Sequence, residues 1–249
     1  MRLFFNASTE IKTMDDLYSL YKETEFESPK RSTVYLLSFV KSESFKSFLK
    51  SLQVNIEFLN IYFEYNFNSP KGKGEASFTD LMLIDNNKSI SVEAKYTEPE
   101  YETVNEWLKK GNIENRKLVL SGWLETINKK TDQNISEDDV ENVTYQMIHR
   151  LASSCSISSK NPEMVYLYFG DNDNMENYYK GQLNFLKKIT SDKIKINFVK
   201  IVPRKTDILF DLENKWEIDK KSSKFKKEII HGIKANSLLN YEENRIEIL

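Results

Sequence analysis

Two carboxylates and an amine stand out along the chain: Asp80, then Glu93 and Lys95 two residues apart. They lie in two largely apolar stretches, Phe78 to Asp85 and Ser89 to Tyr96. Successive side chains of a strand leave on opposite faces. Ile90, Val92, Ala94 and Tyr96 therefore share one face, and Glu93 and Lys95 share the other. Asn86-Asn87-Lys88 between the stretches suits a hairpin turn, because asparagine tolerates positive φ. A hairpin returns Asp80, at the start of the first strand, to the end of its partner, where Glu93 and Lys95 sit.

Such a trio suits phosphodiester hydrolysis. Mg²⁺ is a hard cation that prefers carboxylate, carbonyl and water oxygens. Asp80 and Glu93 supply two carboxylates and the Ala94 carbonyl a third oxygen; Mn²⁺ is expected to substitute. The metal lowers the pKa of a bound water and neutralises charge on the phosphate. Lys95 would orient or help to deprotonate the attacking water, and its charge would stabilise the transition state. Two crowded carboxylates repel, so removing either is expected to spare or raise the stability of the metal-free protein. With 30% charged residues, an Asp followed by Glu-x-Lys also arises by chance, as the exposed face of a hairpin. Apolar strands on both sides, a glycine-containing loop just before, and an acid at a strand start favour the chemical reading.

Thr79-Asp80 followed by Glu93-Ala94-Lys95 resembles the motif of the PD-(D/E)XK nuclease superfamily, the restriction-endonuclease-like fold, with Thr79 where proline is often found. The phrase from Phe78 through Pro99, with Tyr145 to Arg150 later, also resembles an uncharacterised group of bacterial restriction-endonuclease-like proteins. The resemblance implies a Mg²⁺-dependent endonuclease acting on DNA, in defence or DNA processing, with homodimerisation as a common arrangement. It also implies a polar residue near the metal from the helix after the motif, for which Gln146 is the natural candidate. Arg150, four residues on and thus on the same helix face, would hold the scissile phosphate bidentately; the alternative places both on an exposed face. Glu57, Glu64 and Glu75 are further candidate ligands, unranked, and Glu98, Glu100 and Glu102 suit a helix N-terminus. His149 and Cys155 read as structural. Competing functions are a catalytically silent nucleic-acid-binding or interaction module of the same fold, and a nuclease acting on RNA.

The elements that must position these residues follow from periodicity. Helices are expected over Met14 to Tyr21, and over Thr33 to Leu52 with Val34, Leu37, Val40, Phe45, Phe48, Leu49 and Leu52 inward. Val54 to Phe67 reads as a strand, and Asn68 to Gly74 as a loop. After the motif hairpin, Tyr101 to Leu108 and Leu120 to Ile127 carry apolar helical stripes. Ser136 with Asp139 forms a capping box opening a helix that carries Val143, Met147 and Leu151 inward. Met164 to Phe169 and Ile194 to Val202 read as strands, with Tyr178 to Ile189 a helix between them. The expectation is an α/β restriction-endonuclease-like core, a mixed β-sheet flanked by helices in the order α-β-β-β-α-β, with N- and C-terminal additions.

Composition sets the frame. The 249 residues are enough for one sizeable core, and the reading is a single domain over 1–249 with a basic C-terminal extension at about 204–249. One cysteine excludes an internal disulfide framework and a cysteine-based zinc site. No apolar run is long enough to span a membrane, and a cytoplasmic location is expected. The net charge of −2 is unevenly spread: Lys187 to Lys234 hold 14 Lys/Arg against 7 Asp/Glu, giving +7 there and −9 elsewhere. Lys220, Lys221, Lys224, Lys226 and Lys227 form the densest part, suited to a phosphate backbone or to a solvated tail.

Overall fold

The computed structural model describes all residues except 75, 159, 221–223, 243–245 and 249, and leaves the side chains of Lys224 and of 246–248 undescribed. Its elements run β1 (Arg2–Phe5), β2 (Thr9–Ile11), α1 (Met14–Leu20), α2 (Ser32–Lys41), α3 (Glu43–Ser51), β3 (Asn60–Phe67), β4 (Ser77–Ile84) and β5 (Lys88–Lys95). They continue with α4 (Val104–Lys109), α5 (Ile113–Thr131), α6 (Glu137–Val140), α7 (Tyr145–Cys155), β6 (Asn161–Tyr168), α8 (Asp173–Ile189) and β7 (Lys195–Ile201). Last come β8 (Arg204–Lys205), α9 (Asp207–Ile218), α10 (Lys224–Lys234), β9 (Leu239–Asn240) and β10 (Ile246–Ile248).

Eight strands form one mixed sheet in the order β10-β7-β6-β5-β4-β3-β1-β2. β3, β4 and β5 are an antiparallel meander, and β6 and β7 continue parallel to β5. Alternation divides the core in two. Ile61, Phe63, Leu81, Leu83, Ile90, Val92 and Ala94 pack under α1, α2, α3, α9 and α10. Met164, Tyr166, Tyr168, Ile196 and Phe198 pack against α4, α5, α7 and α8. The motif hairpin is therefore central, helix-covered on both sides, and flanked by paired strands.

Several boundaries differ from the sequence reading. The helix expected over Thr33 to Leu52 is two, because Ser42 is extended (φ −79°, ψ 158°) and restarts the chain as α3. The strand expected from Val54 begins at Asn60, after a 3₁₀ turn at Ile56–Phe58 in which the Asn55 side chain accepts the Glu57 N–H. The Ser136 capping box forms, but its helix ends at Val140. There the chain bonds to the segment before α4 (Val104 N–H to the Val143 carbonyl, 2.8 Å; Tyr145 N–H to the Glu102 carbonyl, 3.1 Å), and α7 starts afresh. The C-terminal segment read as an extension is built into the body. Leu209, Leu212, Phe225, Ile229, Ile233, Leu238 and Leu239 belong to the first core, and β10 joins the main sheet.

Candidate active site

The β4–β5 ladder runs from Ile84↔Ser89 to Leu81↔Val92 and stops there. Asp80 is the next residue, and its Oδ2 accepts the Ala94 N–H at 2.7 Å, taking the place of a strand partner. A strand residue sends its N–H and C=O to the same side, so the Ala94 carbonyl also faces the gap beside Asp80. On the other flank, Phe63↔Leu81 and Tyr65↔Thr79 pair, and Glu64 between them has φ +50°. By register, Glu64, Asp80 and Glu93 occupy one level across three neighbouring strands.

The left-handed residue shifts the alternation of both strands. Phe63 and Leu81 lie in the first core, whereas beyond Glu64 Phe67 packs with the second, and the Thr79 hydroxyl donates to Ser153 of α7 at 3.1 Å. A non-glycine residue held in this region costs about 1–2 kcal/mol, and such strain persists only where surrounding structure enforces it. The sheet opens at this level, and the three carboxylates stand in the opening.

Charge is arranged around Glu93, which is 2% exposed. Lys95 Nζ lies 2.7 Å from Glu93 Oε1, and Arg150 Nε donates to Glu93 Oε2. Burial would raise the Glu93 pKa, but the charges and hydrogen bonds of Arg150 and Lys95 outweigh it and hold the carboxyl below its ordinary range. Burial would likewise lower Lys95, yet Glu93, Tyr101 and Asp80 reverse the sign and keep the ammonium charged; it sits 4.2 Å from the Tyr101 ring centroid. Asp80 has no such partner. Burial, then Glu93 and Glu64, push it well above the usual carboxylate range. Glu64, half-buried and near Glu25, is pushed up to about 7 by its partial burial and the Glu25 charge.

These groups line one cavity of about 340 Å³, with Gln146, His149 and Arg150 from α7 and Arg31, Ser32 and Thr33 from the start of α2. The expected set of Asp80, Glu93, Ala94, Lys95, Gln146 and Arg150 is thus brought together. Arg150 is buried rather than on an exposed face, and Gln146 Oε1 accepts the Tyr166 hydroxyl at 3.4 Å. Burial and the neighbouring Arg150 push the His149 pKa down, toward the neutral ring, and its Nε2 has no hydrogen-bond partner among the described residues. Glu98 does serve a helix N-terminus, accepting the Ser32 N–H of α2 at 3.0 Å. Glu57 is exposed, before β3 and outside the cavity, and Glu75 lies outside the described residues. Glu25, Arg31 and Tyr101 were not anticipated; they come from separate parts of the chain and carry no local signal.

The resemblance implies a divalent metal. Among the described residues, no three His, Cys, Asp or Glu side chains converge closely enough to enclose an ion. The donor set is nonetheless all oxygen, as a hard cation requires, and the carboxyl groups of buried Glu93 and half-buried Asp80 and Glu64 outnumber the cations Lys95 and Arg150. The groups fit such an ion in kind, with Glu93 held by its two cationic partners.

The lysine run is partly engaged. Lys220 lies 3.2 Å from Glu217 and 4.8 Å from the Trp216 ring centroid, Lys226 pairs with Glu23 at 3.0 Å, and Lys227 is exposed. Lys221 and the Lys224 side chain lie outside the described residues. Lys220 shares a cavity of about 300 Å³ with Lys30 and Arg31, and Arg31 and Glu98 also line the site cavity.

No curated protein and no solved structure matches the chain at a significant level. A family described as a domain of unknown function (DUF6946) matches residues 10–210. That span includes the whole β3–β7 sheet and every residue lining the site cavity, and the chain belongs to the DUF6946 family.

Proposed function

We propose that the protein is a divalent-cation-dependent nuclease of the PD-(D/E)XK class, hydrolysing phosphodiester bonds in DNA. The observation that carries this reading is the meeting of Asp80 and Glu93 at one level of an opened sheet, with Lys95 paired to Glu93, in a cavity where carboxylates outnumber cations. The succession α2/α3, β3, β4, β5, α7, β6 supports the fold assignment, because it is the order in which that class builds its core.

Asp80 and Glu93, with the Ala94 carbonyl, would hold Mg²⁺ or Mn²⁺. The bound ion supplies charge neutralisation at the phosphate and a more acidic water. Lys95 is held in place by Glu93 and Tyr101, keeps its charge, and aims its ammonium at the cavity to orient water and stabilise developing negative charge. Arg150 is buried and preorganised against Glu93, and a substrate phosphate offers its guanidinium a second anionic partner of matching geometry. Gln146, fixed by Tyr166, presents its amide to the same space. A role in defence against foreign DNA is part of the proposal.

One observation favours a second reading, a catalytically silent module. Lys95 and Arg150 already neutralise Glu93, so the ion triad is complete without metal. Cleavage assays with plasmid, linear duplex, single-stranded DNA and RNA, with and without Mg²⁺, separate the two. Asp80→Ala and Glu93→Ala are expected to abolish metal-dependent cleavage, and Lys95→Ala to keep metal binding and lose turnover. Absence of both Mg²⁺ binding by calorimetry and cleavage of any substrate would leave the silent module standing.

A further inference from the structure

A second cavity, of about 380 Å³, adjoins the first and shares Glu25, Glu64 and Phe78 with it. Its remaining walls are Phe5, Leu20 and Tyr21, with Asn6 and Lys22 at the edge. Phe78 is 39% exposed. Tyr21 packs edge-on to Phe5 (centroids 5.2 Å, 75°) and to Phe26 (5.8 Å, 72°), which fixes its ring. The Tyr21 side chain is 4% exposed, and its hydroxyl has no hydrogen-bond partner among the described residues. Tyr21 lines this cavity beside Glu25 and Glu64, the two acids of the shared wall.

We infer that this cavity receives one unpaired nucleobase of the nucleic-acid strand whose phosphate lies at Asp80, Glu93 and Lys95. The inference rests on the nuclease reading and names its substrate class: single strands, frayed ends or flaps, or a base extruded from a duplex. The chemistry of the walls selects the occupant. The exposed ring of Phe78 and the part-buried ring of Phe5, with Tyr21 behind it, suit a flat aromatic group. The carboxyl groups of Glu25 and Glu64 in the shared wall offer oxygens that accept hydrogen bonds from ring and exocyclic N–H groups. The unpartnered Tyr21 hydroxyl adds a donor in a place where burial without a partner is costly. A paired, stacked base cannot enter such a pocket, so entry requires an unpaired or flipped nucleotide.

The test is a cycle between protein and substrate. Single-stranded oligonucleotides of one sequence are compared with versions in which a tetrahydrofuran replaces one nucleoside, scanned across the cleaved bond, for the parent protein, Phe78→Ala and Tyr21→Phe. The parent is expected to show KM about tenfold higher or more when one particular base near the cleaved bond is absent. Phe78→Ala should lose most of that discrimination, and Tyr21→Phe, which keeps the ring, should lose about fivefold. Phe78 is surface-accessible and Tyr21→Phe removes one atom, so both variants should fold. Cleavage by the parent that is indifferent to every abasic position, or discrimination identical in all three proteins, would overturn the base pocket and leave the nuclease reading intact. Failure to cleave any nucleic acid would overturn both.

Discussion

Glu93 and Asp80 share a level of the sheet but face opposite electrostatic situations. Repulsion between carboxylates suggests that removing either should spare the metal-free protein. The structure divides that expectation. Glu93 is the common partner of two buried cations, and removing it strands both; breaking a buried ion pair typically costs about 3–5 kcal/mol. Among the described residues Asp80 has no cationic partner at hydrogen-bonding distance, and its charged form is opposed by burial, Glu93 and Glu64. Glu93→Ala should therefore lower the unfolding free energy in EDTA, measured by denaturant titration, by an amount in that range. Asp80→Asn, whose side-chain oxygen can still accept the Ala94 N–H, should match or exceed the parent. Equal destabilisation by both would mean that Arg150 and Lys95 do not depend on Glu93.

Elements hold these residues through contacts that local propensity does not describe. Gly122 lies inside α5, where alanine is intrinsically better by about 1 kcal/mol. A Cβ there would meet Ser69 Oγ at 2.2 Å, the Lys71 amide nitrogen at 2.9 Å and Pro70 Cδ at 3.1 Å. The loop over α5 feeds directly into β4, and its Ser69 hydroxyl donates to the Val119 carbonyl at 2.8 Å. Gly122→Ala should lift this loop, and overpacking of this kind costs about 1–3 kcal/mol. A fall in thermal midpoint, with faster amide exchange in the loop and at the start of β4, is the expected result. A stabilised protein would show that the loop yields freely.

At the scale of the molecule, the C-terminal helices α9 and α10 join the core. α10 is anchored by Phe225, Ile229 and Ile233, touches the 3₁₀ turn Glu23–Phe26, and so neighbours Glu25 in the cavity wall. Neutralising Lys220, Lys221, Lys224, Lys226 and Lys227 together should weaken DNA binding. It should also flatten the dependence of binding on salt, by about 0.9 in log–log slope for each phosphate that is no longer neutralised. An unchanged slope would assign the run to intramolecular pairs such as Lys226–Glu23 and Lys220–Glu217. No helix among the described residues is long and apolar enough to cross a membrane.

Period-two alternation in Phe78–Asp85 and Ser89–Tyr96, broken between them, was sufficient to specify a hairpin with Glu93 and Lys95 on one face. The facing is a local property fixed by strand geometry; the turn itself forms without positive φ at Asn86 or Asn87 and is closed by Asp85, whose side chain accepts the Asn87 and Lys88 N–H groups. The capping box at Ser136 was legible for the same reason, since its partners are three residues apart. Helix boundaries at Ser42 and Val140, the strand at Arg2–Phe5 and the role of Glu64 were not legible. Ser42 and Glu64 adopt backbone conformations that their residue types do not demand, while β1 exists only because β3 offers an edge to pair with. Likewise the lysine run reads as a tail until Phe225, Ile229 and Ile233 are seen against a core assembled from distant strands. The sequence alone determined the identity and relative facing of Asp80, Glu93 and Lys95. Only the tertiary structure decided that Glu64, Arg150 and Tyr21 complete the surroundings, because burial and partner charge depend on groups far apart in the chain.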